Sequence, residues 1–138
     1  MWSIITIILS IFILVIGLIF LLAPKGILKQ WKKEEPEHPG DAEMIQKIRK
    51  HGIVDVLIAS VWLTMELSGF MYDNVLIYNL SISIAMIIFG IAWMIMPLYA
   101  PTDDPEEKEK RLAAAKKNGR LFIIIGLVFI LMDFLLFT

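Results

Sequence analysis

Apolar positions in this chain fall into four long runs, separated by two charged blocks and one short polar break. Residues 3–23 are apolar almost throughout. At about 1.5 Å rise per residue they are long enough to cross a hydrocarbon core of about 30 Å. Residues 53–71, 75–96 and 121–137 read the same way, and Pro97 ends the third run. The few small and polar residues inside these runs keep helical spacing. Ser3, Thr6, Ser10 and Gly17 share one face of the first span, and Asn79, Ser83 and Gly90 share one face of the third. Such a face serves either as a packing seam for a neighbouring helix or as the polar wall of a cavity.

The interruptions are patterned too. In the first block Lys25, Lys29, Lys32 and Lys33 surround Ile27, Leu28 and Trp31. This predicts a short amphipathic helix in the headgroup layer, anchored by Trp31. An acidic, Pro-containing turn follows. Asp41 then reads as an N-cap, and the period of Met44, Ile45 and Ile48 predicts a helix running on into span two. Tyr72, Asp73 and Asn74 form a tight turn. In the second block Asp104 caps a helix opened by Pro105. Glu106–Lys110 and Glu107–Arg111 are i,i+4 pairs on a solvated extension below span four.

The two halves of the chain, 1–71 and 75–138, echo one another. Thr6 aligns with Asn79, Ser10 with Ser83, Gly17 with Gly90 and Pro24 with Pro97. Gly52 aligns with Gly119, Ala59 with Gly126, Trp62 with Phe129 and Glu66 with Asp133. The expected fold is therefore all-α: an integral membrane four-helix bundle of two tandem transmembrane hairpins, with cytoplasmic helical extensions before spans two and four. The whole chain forms one membrane domain.

Composition supports this class. Of 138 residues 58% are apolar and 20% charged, and mean hydropathy is +0.74, well above that of a soluble domain. A net charge of −1 leaves no basic field for nucleic acid. The chain has no cysteine, which removes disulfides, thiolate metal sites and cysteine nucleophiles. The first run lacks a basic flank before it and reads as a retained helix rather than a signal peptide. All 13 Lys and Arg residues lie in the two charged blocks. By the positive-inside rule residues 24–52 and 97–120 are cytoplasmic and both termini are outside, in a cell membrane.

Ionisable residues within spans are costly in hydrocarbon and point to function or to specific pairing. Glu66 and Asp133 lie at roughly one depth in the outer half, with Thr6, Ser10, Asn79 and Ser83. If the helices bring them together, these six form one polar cluster. Two carboxylates in contact would then share a proton or be bridged by a cation. A structural cluster fixing helix register, a proton or cation site, and two acids reaching interfacial water are the open readings. Asp55 and Arg120 lie at similar depth near the inner boundary and are a candidate ion pair. His38 and His51 sit among charges and are expected to face solvent.

No phosphate loop, HExxH, GxSxG or CxxC motif is present, so nothing in the motifs favours an enzyme, a catalytic residue, a metal or a cofactor. The length and four spans match those of small multidrug resistance transporters. Those rest on an acid inside the first helix, which residues 3–23 lack, so their function is not carried over. The leading expectation is an accessory membrane protein in the lipid bilayer, joined to a membrane-protein partner or to further copies of itself. The competing one is a small oligomeric proton- or cation-coupled transporter or channel using Glu66 and Asp133.

Overall fold

The computed structural model describes residues 2–69 and 73–137. The expected turn at Tyr72, the end of span two at Met71 and the side chain of Ser3 lie outside the described residues. The helices, in chain order, are α1 (Trp2–Leu22), α2 (Pro24–Lys32), α3 (Asp41–Leu67), α4 (Val75–Ile95) and α5 (Pro105–Phe137). Three of them, α1, α4 and α5, contain stretches long and apolar enough to cross a membrane. In α3 the apolar stretch is interrupted by Asp55 and Glu66. Large aliphatic and aromatic side chains lie bare along the outside, among them Ile4, Phe12 and Ile19 on α1 and Leu127, Leu131 and Phe134 on α5. In water that surface would aggregate; in lipid it is the contact surface.

Local chemistry fixes the helix ends. Pro24 opens α2, where its missing N–H costs nothing. Pro105 opens α5, and Asp104 Oδ1 accepts from the Glu106 N–H at 3.1 Å. Asn74 Oδ1 caps α4 by accepting from the Ile77 N–H at 3.2 Å. Gly69, at φ 75, takes the left-handed turn that ends α3. Asp41 does not cap α3 as expected. Gly40 stands at the cap and Asp41 is the first helical residue, because its carboxylate is engaged by Lys32 Nζ at 2.6 Å and the His38 N–H at 3.1 Å.

The helices pack as two antiparallel pairs. In the first, α1 lies on α3; in the second, α4 lies on α5. A Cβ added at Gly52 would fall 2.7 Å from the Gly17 carbonyl oxygen, and one at Gly17 would fall 2.8 Å from the Asp55 Cβ. In the second pair a Cβ at Gly90 would fall 2.5 Å from the Gly119 carbonyl oxygen, and one at Gly126 would fall 2.8 Å from that of Ser83. Backbone therefore lies against backbone in both pairs, as small residues allow between membrane helices.

Between the pairs, α3 and α4 touch only sparsely. Among the described residues neither α1 nor α3 touches α5. The described helices thus do not close into the single bundle expected. The small-residue seams are spent inside each pair. The facing surfaces of α3 and α4 carry Leu57, Val61, Ile84 and Ile88 along a groove of about 310 Å³. Lipid tails cover such side chains as well as another helix would, so burial alone does not drive them together.

The link between the pairs lies where α2, the start of α3 and the α4–α5 connection meet. Leu28 of α2, Met44 and Ile48 of α3 and Leu98 of the α4–α5 connection form a buried apolar core, flanked by Phe20, Tyr99 and Trp93. Trp31 meets Phe20 edge-on at 6.2 Å.

Candidate functional site

Toward the N-terminal end of α1 and the C-terminal end of α3, Thr6, Ser10 and Glu66 are all buried. Counting outward from the Gly17–Asp55 contact on two antiparallel helices sets Ser10 level with Trp62 and Thr6 level with Glu66. Ser10 Oγ donates to the Thr6 carbonyl at 2.8 Å. Glu66 is 1% exposed, and neither carboxyl oxygen has a hydrogen-bond partner among the described residues. One turn before it, the Trp62 indole N–H is also buried and unpartnered.

The second pair carries a matching set. Ser83 Oγ donates to the Asn79 carbonyl at 3.1 Å. Asp133 is 7% exposed and its Oδ2 is buried without a partner. Asn79, Ser83 and Asp133 line one open cleft of about 200 Å³, together with Ile82, Phe129, Met132 and Leu136.

The six residues grouped from the sequence are therefore brought together as two sets of three. Glu66 belongs to the α1–α3 pair and Asp133 to the α4–α5 pair, and α3 does not touch α5 among the described residues. A single cluster in which the two acids share a proton or a cation is not formed within this chain. The same separation parts Asp55 from Arg120. Arg120 is exposed, Asp55 is half-buried with its Cβ against Gly17, and no ion pair joins them.

The cap formed by α2, the start of α3 and the α4–α5 connection holds groups that spacing along the chain did not reveal. Arg111, read from the sequence only as the partner of Glu107, also grips Glu35 with two nitrogens at 2.6 and 3.2 Å and donates to the Ala100 carbonyl at 2.8 Å. The Arg111 hydrogen bond holds the Glu35 carboxyl below its ordinary value, outweighing partial desolvation, and the pairing raises Arg111 in turn. Asp41 is pulled in opposite directions. Burial pushes its carboxyl up, but Lys32 and the His38 N–H outweigh that, and the net shift is downward.

Both histidines differ from the solvent-facing expectation. His38 Nδ1 accepts from the Gly40 N–H at 2.8 Å, so the proton sits on Nε2, which lies 2.6 Å from Asp103 Oδ1. His51 is 2% exposed. Its Nε2 lies 2.7 Å from the Met96 carbonyl, which only accepts, so this nitrogen is the donor. The ring also packs on Trp93 at 5.5 Å. A carbonyl at the end of α4, which has no partner within its helix, finds one here. Charged neighbours in sequence suggested solvent; the fold supplies the end of α4 instead. Beside these contacts lies a polar cavity of about 300 Å³ lined by His38, Glu43, Lys47, Tyr99, Thr102 and Lys108.

Long apolar helices, exposed aliphatic surfaces and an acid buried within each helix pair define an integral membrane protein of the multi-pass helical class. Residues 56–138, from the middle of α3 through α4 and α5, match the model of the AgrB family, accessory gene regulator B. The chain belongs to that family. No curated protein and no solved structure matches it.

The AgrB family consists of membrane-embedded cysteine proteases that process a peptide. Membership corrects the expectation that the chain is not an enzyme. That expectation rested on missing short motifs, and a match spread over aliphatic helices leaves no short motif to read. The chain itself has no cysteine, so the thiolate of that chemistry is not among its residues.

Proposed function

We propose that this protein is an accessory component of a larger membrane assembly and works through its cytoplasmic cap. On this reading the chain crosses the membrane four times, with α3 as the second span, both termini outside and residues 24–52 and 97–120 inside. The distribution of all 13 Lys and Arg residues supports that orientation. The reading also takes the two helix pairs as tandem hairpins descended from one unit. Support comes from glycines, back-bonded hydroxyls and buried acids recurring at aligned positions.

The observation that carries the proposal is the construction of the cap. A solvated loop needs no apolar core, yet this one buries Leu28, Met44, Ile48 and Leu98. It is cross-tied by Glu35–Arg111, Lys32–Asp41 and His51–Met96. It also presents a polar cavity carrying Lys47, Lys108 and Glu43. Since the family acts on a peptide, a peptide or a peptide-like segment of a membrane protein is the class of partner for that cavity.

A photo-crosslinker at Lys108 tests this, with one at Leu57 as the lipid-facing control. The protein is extracted gently at native expression and its mass is measured. A stoichiometric partner crosslinked from Lys108 and not from Leu57, and lost in Arg111→Glu, is the expected outcome. A protein that runs alone and crosslinks equally from both positions removes the accessory reading.

A further inference from the structure

We propose that the cavity between α4 and α5 is a binding site for a small monovalent cation, with Asp133 as its charged ligand. Asn79 and Ser83 supply neutral oxygens.

Asp133 is 7% exposed, lies in the membrane-spanning part of α5 and leaves Oδ2 buried with no hydrogen-bond partner. An acid in that position needs compensation from something. Protein groups at the site do not supply a positive charge. The other residues lining the cavity are Asn79, Ser83, Ile82, Phe129, Met132 and Leu136. Ser83 spends its only proton on the Asn79 carbonyl, which turns its oxygen lone pairs into the acceptors available to a ligand. Asn79 adds an amide oxygen. The donor set is thus one carboxylate and neutral oxygens, the chemistry of a hard cation.

Charge selects among hard cations. One carboxylate neutralises one positive charge, whereas a divalent ion would leave a net charge stranded in low dielectric. Among the described residues no group of three or more His, Asp or Glu side chains gathers to hold a metal ion. The volume of about 200 Å³ leaves room for an alkali ion with some of its water. Glu66, at the aligned place in the other pair, is 1% exposed and provides an internal control: a carboxyl of the same kind in a sealed setting.

The test uses the full chain in nanodiscs and the wild-type protein, so it does not depend on a variant folding. A hydrophobic carbodiimide is applied in choline chloride and in sodium chloride at equal ionic strength, and labelling is located by mass spectrometry of peptides. Sodium is expected to reduce labelling of Asp133 several-fold while leaving Glu66 unchanged. Asn79→Ala is expected to raise the sodium concentration needed for protection. Equal Asp133 labelling in the two salts, at any level including none, overturns the site. Equal protection of Asp133 and Glu66 overturns it as well, because a general salt effect would then account for the change.

Discussion

The two helix pairs are built from the same parts and differ in what surrounds their acids. In both, glycines bring backbones into contact and a serine bonds the carbonyl one turn back. Both also bury a carboxyl, Glu66 in one and Asp133 in the other. In α1–α3 the acid is sealed, with Trp62 and Ala59 buried one and two turns before it along α3. In α4–α5 the aligned positions are Gly126 and Phe129, and a cavity stands beside Asp133. Packing, not the presence of the acid, distinguishes them. The same charge is a packing element in one setting and an open group in the other.

The largest expected effects come from the glycines. A methyl group at Gly52 or Gly90 meets backbone atoms at 2.6 and 2.5 Å, and backbone cannot swing aside. Gly52→Ala and Gly90→Ala should each cost about 1–3 kcal/mol by forcing the helices apart, read as unfolding free energy by steric trapping in bilayers. Equal losses in the two pairs sharpen the comparison. A loss confined to Gly52 would mean that α4–α5 has room to yield, and that its cavity is slack rather than built.

Glu66 offers the next test. Both of its oxygens are buried without partners, so replacing it with an apolar side chain of similar length removes an unsatisfied group. Glu66→Met should stabilise the protein by about 1–3 kcal/mol, measured in the same assay. Destabilisation would show that the carboxyl has a partner in the membrane, and the sealed description of the first pair would fall.

The tie between the pairs is weaker and depends on pH. Glu35 and Asp41 both titrate below their ordinary values of 4.5 and 3.8. Their contribution is therefore complete above those values and is lost as pH falls through the lowered ones. Hydrogen exchange in residues 33–40 should accelerate on acidification below about pH 4, while exchange in α1–α3 and α4–α5 stays slow. A double-mutant cycle on Glu35→Gln and Arg111→Gln should give a small coupling, modest because Glu35 is well exposed and water screens the pair, whereas strict additivity would mean that the pair ties nothing.

How much of this could be read from the sequence follows from the range of each signal. Helices and some of their ends are local, so Asp104 and Pro105 announce the start of α5 within a turn. The seams were legible because Gly17, Ser10 and Thr6 repeat at helical spacing. Which seam meets which is not a local property. Four helices with a small-residue face each can form one bundle or two pairs, and only the contacts of Gly52 with Gly17 and of Gly119 with Gly90 decide. That is why the six polar residues were grouped as one cluster, whereas the fold divides them into two sets of three. Arg111 and His51 escaped for the same reason: Glu35 and Met96, their partners, lie 76 and 45 residues away.

The smallest effect bears on the cap as a surface. Gly26 lies inside α2 between Lys25 and Ile27, and a Cβ there would meet nothing within 4 Å. Its backbone is not in the left-handed region. Glycine in a helix interior costs about 0.8–1.0 kcal/mol relative to alanine, so Gly26→Ala should stabilise the isolated protein by up to about that amount. The glycines of the two helix pairs should respond in the opposite direction, which separates a glycine needed for close approach from one that is not. The informative result is a variant that is more stable alone yet assembles less well with its partner. Open space around Gly26 would then be space that another molecule fills, and α2 would belong to the docking face. If stability rises and assembly is unchanged, α2 faces headgroups only, and the partner contact narrows to the cavity between Lys47 and Lys108.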